Sequence, residues 1–148
     1  MKRFIMLALV LTFITGSAFS NNTDAVNQKV LTSFIKQFSK AEEVQWEIRK
    51  DLFRAKFKLN GQVIFAYFNN DGERIAISRN ITVYQLPLNL ASELQNGYDD
   101  YWLTELFEVS SNGETAYYAT VESATHVTIM KADRANGWST FKRDKKQD

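Results

Sequence analysis

The chain has 148 residues, 45% of them hydrophobic, with 18 Lys and Arg against 17 Asp and Glu, a single histidine and no cysteine. The missing cysteine excludes disulfides, thiolate metal sites and a lipidated cysteine, so the fold has to rest on its apolar core. The near-neutral balance argues against nucleic acid as a partner, because phosphates are bound by clustered excess Lys and Arg.

Lys2 and Arg3 open the chain, Phe4 to Ile14 is apolar apart from Thr12, and Gly16, Ser17 and Ala18 are small. This order predicts a secretory signal peptide over 1–20, ending Ala18-Phe19-Ser20 and cut between Ser20 and Asn21, with a cut after Ala18 as the alternative. An uncleaved membrane anchor is disfavoured, because the apolar run is shorter than the roughly 20 residues a spanning helix needs. Without Lys2 and Arg3 the balance is 16 basic to 17 acidic residues, a net charge of −1.

Next, Val26, Val30, Phe34 and Phe38, with Leu31 and Ile35 beside them, recur at the spacing of a helix with one apolar face. Thr23 or Asp24 suits its N-cap. Val44, Trp46 and Ile48 then alternate with Gln45, Glu47 and Arg49. Phe53, Ala55, Phe57 and Leu59 alternate likewise with Arg54, Lys56 and Lys58. Such alternation predicts strands with one side buried and the other in water. Asn60-Gly61 suits a type I′ reversal into Val63–Phe68, and Asn69-Asn70-Asp71-Gly72 turns the chain again into Arg74–Ile81.

A similar order then restarts. Pro87 suits a first helical turn, Leu88, Leu90, Ala91 and Leu94 form an apolar stripe, and Asn96-Gly97 ends it. Tyr101–Val109, Glu114–Glu122, His126–Ala132 and Trp138–Arg143 read as strands, with turns at Ser111-Asn112-Gly113, Ser123-Ala124 and Asn136-Gly137. The expected fold is α+β: two tandem repeats, 21–83 and 84–143, each a helix followed by an antiparallel meander of about four strands, with the helices on one sheet face. Residues 144–148 are a charged tail, and the basic cluster Lys142, Arg143, Lys145 and Lys146 reads as a solvated end.

Phe38-Ser39-Lys40-Ala41 followed by Val44-Gln45-Trp46 resembles the F-x-x-A-x-x-V-x-W opening of PepSY-like, β-lactamase-inhibitor-like (BLIP-like) proteins exported by Bacteroidetes. Phe65-Ala66-Tyr67-Phe68-Asn69-Asn70-Asp71-Gly72 resembles their strand ending in an (N/D)-x-D-G turn. Ile81-Thr82-Val83-Tyr84-Gln85-Leu86-Pro87 resembles the L-P that opens their second helix. The resemblance spans essentially the whole mature chain and implies two α/β repeats in the periplasm. Its motifs are structural, so it carries no site residue and no ligand.

Chemistry-bearing groupings are sparse. His126 alternates with Val127 and Ile129 and reads as a solvent-facing residue, since zinc would need three carboxylates around one imidazole. No serine lies in a Gly-x-Ser-x-Gly elbow, and no glycine-rich phosphate loop occurs. Glu42-Glu43 and Asp99-Asp100 are adjacent carboxylates that point different ways, and Asp71-Gly72 reads as a hairpin turn and not as a calcium loop. No catalytic residue, metal or cofactor is expected.

Aromatic residues remain. Neighbours on a strand face opposite ways, so Tyr101-Trp102 and Tyr117-Tyr118 each place one ring per side. By phase, Tyr101, Leu103, Phe107 and Val109, and Tyr117, Ala119 and Val121, face the core. Trp102 and Tyr118 are then outward, and with Trp138 they form a candidate binding face. Cross-strand pairing alone, about 0.2–1 kcal/mol per pair, is the structural alternative. The expectation is an exported, non-enzymatic binding module whose partner is a periplasmic protein or peptide, with no nucleic acid and no stable membrane anchor. A small periplasmic enzyme or hydrolase-regulating accessory with a carboxylate pocket, and a structural envelope protein, are the alternatives.

Overall fold

The computed structural model describes residues 23–97 and 100–146. The expected leader with its Ser20–Asn21 cleavage point, together with Tyr98 and Asp99, lies outside them. The fold is α+β. Among the described residues there are two helices and eight strands, and the strand pairs within each unit are antiparallel between sequence neighbours. Two compact units divide between Ser78 and Arg79.

The first unit starts with α1 (Gln28–Gln37), followed by β1 (Glu42–Arg49), β2 (Leu52–Leu59), β3 (Gln62–Asn69) and β4 (Arg74–Asn80), whose last two residues fall in the second unit. The N-cap is Asn27, not Thr23 or Asp24. Its Oδ1 accepts the Lys29 N–H at 2.9 Å while its Nδ2 donates to the Asn70 carbonyl at 2.8 Å, which ties the helix start to the turn after β3. Phe38 closes the helix, its N–H bonding the Phe34 carbonyl at 2.8 Å. Val30 and Phe34 belong to one buried cluster with Trp46, Phe57 and Phe68. The Phe34 ring meets Trp46 and Phe57 edge-on at 5.2 and 5.1 Å between centroids, the favoured geometry for aromatic quadrupoles. The strand side that feeds this cluster is its inner side.

Two turns organise the meander. Asn60 and Gly61 have φ of 51° and 79°, the left-handed pair that a type I′ reversal between β2 and β3 requires. After β3, Asn69 Oδ1 accepts the N–H groups of Asp71 and Glu73, both at 3.0 Å, and fixes the turn. Gly72 sits there at φ +78°, and a Cβ on it would lie 2.6 Å from the Lys29 carbonyl oxygen of α1.

The outer side of the first unit departs from the alternation. Glu47 and Arg54, expected in water, are both only 6% exposed. Arg54 Nη2 donates to Glu47 Oε2, and Arg49 Nε donates to Glu47 Oε1 at 2.8 Å. The Arg54 guanidinium lies 5.4 Å from the Phe65 ring centre, and the buried Tyr67 hydroxyl is 3.3 Å from Ser78 Oγ. Burial pushes the Tyr67 phenol above its ordinary value, against the opposing Ser78 and Arg54 contacts. Alternation assigned polarity to this side correctly, but long side chains folded over one another and dried it. Ile48, in phase with the core, is instead 38% exposed.

The second unit has a short 3-10 turn (Val83–Gln85), α2 (Leu88–Gly97), β5 (Trp102–Ser111), β6 (Glu114–Glu122), β7 (His126–Asp133) and β8 (Gly137–Lys145). Gln85 Oε1 accepts the Thr82 N–H at 2.9 Å, and the Ala91 N–H bonds the Pro87 carbonyl at 3.0 Å, so Pro87 precedes the helix and starts its ladder. Leu90 and Leu94 are buried with Leu106, Tyr117, Val121 and Met130, whereas Leu88 is exposed. A register shift between Leu103 and Glu105 inserts one residue into β5. Beyond it the phase reverses: Leu106 faces the inner cluster, and Phe107 and Val109, expected there, face outward.

The β7–β8 turn hangs on Asp133, whose Oδ1 accepts the N–H groups of Ala135 and Asn136 at 2.9 and 2.8 Å and whose Oδ2 accepts Asn136 Nδ2 at 2.9 Å. These bonds, the Asn136 side chain first, hold its carboxyl below the usual aspartate value. A lowered folded pKa contributes stability above the unfolded value of about 3.8, lost as pH falls through the folded one. The Ala135 and Asn136 amide NMR shifts are therefore expected to titrate below the pH of an ordinary aspartate. Titration at the ordinary value would show that these bonds are not held in solution.

Candidate binding face

Strand register builds an aromatic platform on the outer side of the second unit. Phe107 and Tyr118 are direct cross-strand partners, and their rings stack at 5.3 Å with 13° between planes. Phe141 falls in the β7–β8 register shift, where Ile129 pairs with Lys142 and Met130 with Thr140, and its ring meets Tyr118 edge-on at 5.8 Å. Trp102 pairs with Glu122, four residues from Tyr118 along β6, and so shares this side. Trp102 is 65% and Phe141 42% exposed, whereas Tyr118 is 1% exposed.

Polar groups frame the rings. Lys146 Nζ stands 2.9 Å from a Glu122 oxygen and, through that hydrogen bond, holds the half-buried carboxyl below its usual value. Thr120 Oγ1 donates to Glu105 Oε2 at 3.3 Å. Tyr118 Oη is buried without a hydrogen-bond partner, and burial raises its pKa. The arrangement offers apolar area at Trp102 and Phe141.

The three residues singled out from sequence are not brought together. Trp102 is outward and exposed, as expected. Tyr118 is outward but buried, because the β5 shift brings Phe107 onto its own side and β8 adds Phe141. Trp138 belongs to the inner side: its ring Nε1–H donates to the Leu90 carbonyl at 2.9 Å, and its backbone N–H donates to Glu93 Oε2 at 3.2 Å. Phe107 and Phe141 were missed. Phe141 carried no usable signal, because parity counted from an outward Trp138 would turn it inward and it falls in the β7–β8 register shift. The shift that turns Phe107 has no marker in the sequence.

Elsewhere, His126 Nδ1 lies 2.8 Å from Thr125 Oγ1, and Glu43 is engaged by Lys58 at 2.7 Å. Among the described residues no group of three or more His, Cys, Asp or Glu is placed to hold a metal ion, and no helix is long and apolar enough to cross a membrane.

Removing the unpaired hydroxyl should relieve a desolvation cost. Tyr118→Phe is expected to raise the unfolding free energy by about 1 kcal/mol, and Tyr118→Ala to lower it by about 3–5 kcal/mol through the cavity it leaves. Urea denaturation measures both; a less stable Phe variant would mean that Oη does bond in solution.

No family model matches the chain, and neither does any curated protein. Solved structures do match its fold. A DUF2874 family protein from Bacteroides ovatus superposes with a TM-score of 0.72 at 16% identity, over 82% of this chain and 89% of that one. A protein from Bacteroides eggerthii, provisionally described as periplasmic, gives 0.70 at 14% identity, over 80% and 87%. A BLIP-like protein from Bacteroides fragilis gives 0.64 at 14% identity, over 82% and 89%. In fold, the chain resembles the BLIP-like and DUF2874 proteins of Bacteroides.

Proposed function

We propose that this chain is an exported, non-enzymatic binding module of the periplasm that holds a protein or peptide on the outer side of its second unit. The observation that carries this reading is the exposure of Trp102 and Phe141 on the side where Phe107 and Tyr118 stack and Tyr118 Oη lacks a partner. Exposed aromatic rings anchor partners well, because they bury large area at little conformational cost. The BLIP-like description of one matching fold supports a protein-binding use, and the description of another supports the periplasm. Each unit holds a helix and a four-strand meander, which supports reading the chain as two copies, 21–83 and 84–143, of one scheme with helices on one sheet face. Trp138 has no place in the binding face under this reading; it anchors α2.

The test is crosslinking capture from periplasmic extract, with captured proteins identified by mass spectrometry. A Trp102→Ala/Phe141→Ala variant is expected to lose the partner that wild type captures. A Tyr84→Ser/Leu88→Ser variant, altering exposed apolar residues elsewhere, should keep it. Equal capture by wild type and the Trp102/Phe141 variant would sink the proposal.

A further inference from the structure

Four Asn-Gly pairs occur in this chain, and their surroundings differ in a way that bears on covalent ageing. In such a pair the glycine backbone nitrogen can attack the asparagine Cγ. A new C–N bond closes a five-membered succinimide, the bond to the side-chain nitrogen breaks, and ammonia leaves with the proton from the backbone nitrogen. Solvent water then opens the ring at either carbonyl, giving aspartate or isoaspartate. Attack needs a side chain free to turn toward the next nitrogen, and a glycine with no Cβ in the way.

Asn60 and Asn112 meet both conditions. Each is exposed at the tip of a hairpin, with φ of 51° and 52°, and open space surrounds Gly61 and Gly113. Neither side-chain amide bonds a described residue. Asn136 is the opposite case. Its Nδ2 is held by both Asp133 oxygens, at 3.1 and 2.9 Å, and its backbone N–H by Oδ1 at 2.8 Å, so the amide points back along the turn. Gly137 beside it is crowded by the Glu93 carboxylate. Asn96 lies within α2, its Nδ2 donating to Ser92 Oγ at 3.3 Å.

We propose that Asn60 and Asn112 are sites of spontaneous deamidation in the folded protein, and that the Asp133 carboxylate protects Asn136. Each conversion adds a negative charge, and the isoaspartate product lengthens the backbone of a two-residue turn by one carbon, at the tip of β2–β3 or of β5–β6.

The experiment is peptide mapping by mass spectrometry of the folded protein, incubated warm at mildly alkaline pH, with a urea-unfolded sample in parallel. Asn60 and Asn112 are expected to convert first. Asn136 should lag by roughly a hundredfold in the folded protein, the scale of penalty for a misplaced reacting group, and by little in urea. Asp133→Ala should bring Asn136 close to the other two. Conversion of Asn136 as fast as Asn60 and Asn112 in the folded wild type would overturn the proposal. So would intact Asn60 and Asn112 after the urea sample has converted, or an unchanged Asn136 rate in Asp133→Ala.

Discussion

Gly72→Ala is expected to lower the unfolding free energy by about 3 kcal/mol, against about 1 kcal/mol for Gly61→Ala. Both glycines hold nearly the same left-handed backbone, φ +78° and +79°, so the penalty for forcing an L side chain into that region is common to both. The surroundings differ. A Cβ on Gly61 meets nothing within 4 Å, whereas one on Gly72 would stand 2.6 Å from the Lys29 carbonyl oxygen and 2.9 Å from its carbon. That obstacle is helix backbone and cannot swing aside like a flexible side chain. Either α1 retreats, loosening Val30 and Phe34 from the inner cluster, or the turn deforms and gives up the Asn27–Asn70 bond. Urea unfolding of the two variants gives the comparison directly. Equal losses would mean that the turn does not press on α1.

Arg54→Met is expected to cost about 3–5 kcal/mol, while Glu47→Leu/Arg54→Met together should stay within about 1 kcal/mol of wild type or exceed it. The single change strips a buried carboxylate of one of its two guanidinium partners and leaves Arg49 alone, itself more exposed. The paired change removes both charges and lets apolar groups fill the space beside Phe65. Arg54→Lys should fall between the two, because an ammonium cannot reproduce a planar fork that bonds Glu47 and lies against a ring. A double-mutant cycle by urea denaturation isolates the coupling. A double variant as unstable as Arg54→Met would show that the ion pair contributes net stability and does more than avoid a lone charge.

Local rules recovered the α+β class and the strands, because period-two alternation and Asn-Gly turns are written in consecutive residues. The I′ turn at Asn60-Gly61 lies where the dipeptide placed it. Burial on the outer sides was not legible. Whether Arg54 reaches water depends on Glu47, Phe65 and Tyr67, which lie on neighbouring strands. The candidate site suffered from a single inserted residue: parity carried through the Leu103–Glu105 shift put Phe107 on the wrong side and left Tyr118 looking bare. Trp138 could not be placed from β8 alone, since the Leu90 carbonyl that fixes it lies on a helix far back in the sequence.

The order of elements also sets a folding schedule. Within each unit successive strands join through short reversals, and each hairpin can zip within about 1–10 μs without waiting for a distant segment. α1 is the exception in the first unit. It is made before the strands, yet Phe34 must meet Phe68 at the far end of β3, 6.3 Å away between centroids in the finished structure. That loop closure is rewarded only once β1, β2 and β3 have assembled a surface to receive the ring. The hairpins are therefore expected to form first and the helix to dock last. Until it does, Trp46, Phe57 and Phe68 stand uncovered, and in that interval the chain is most prone to aggregate.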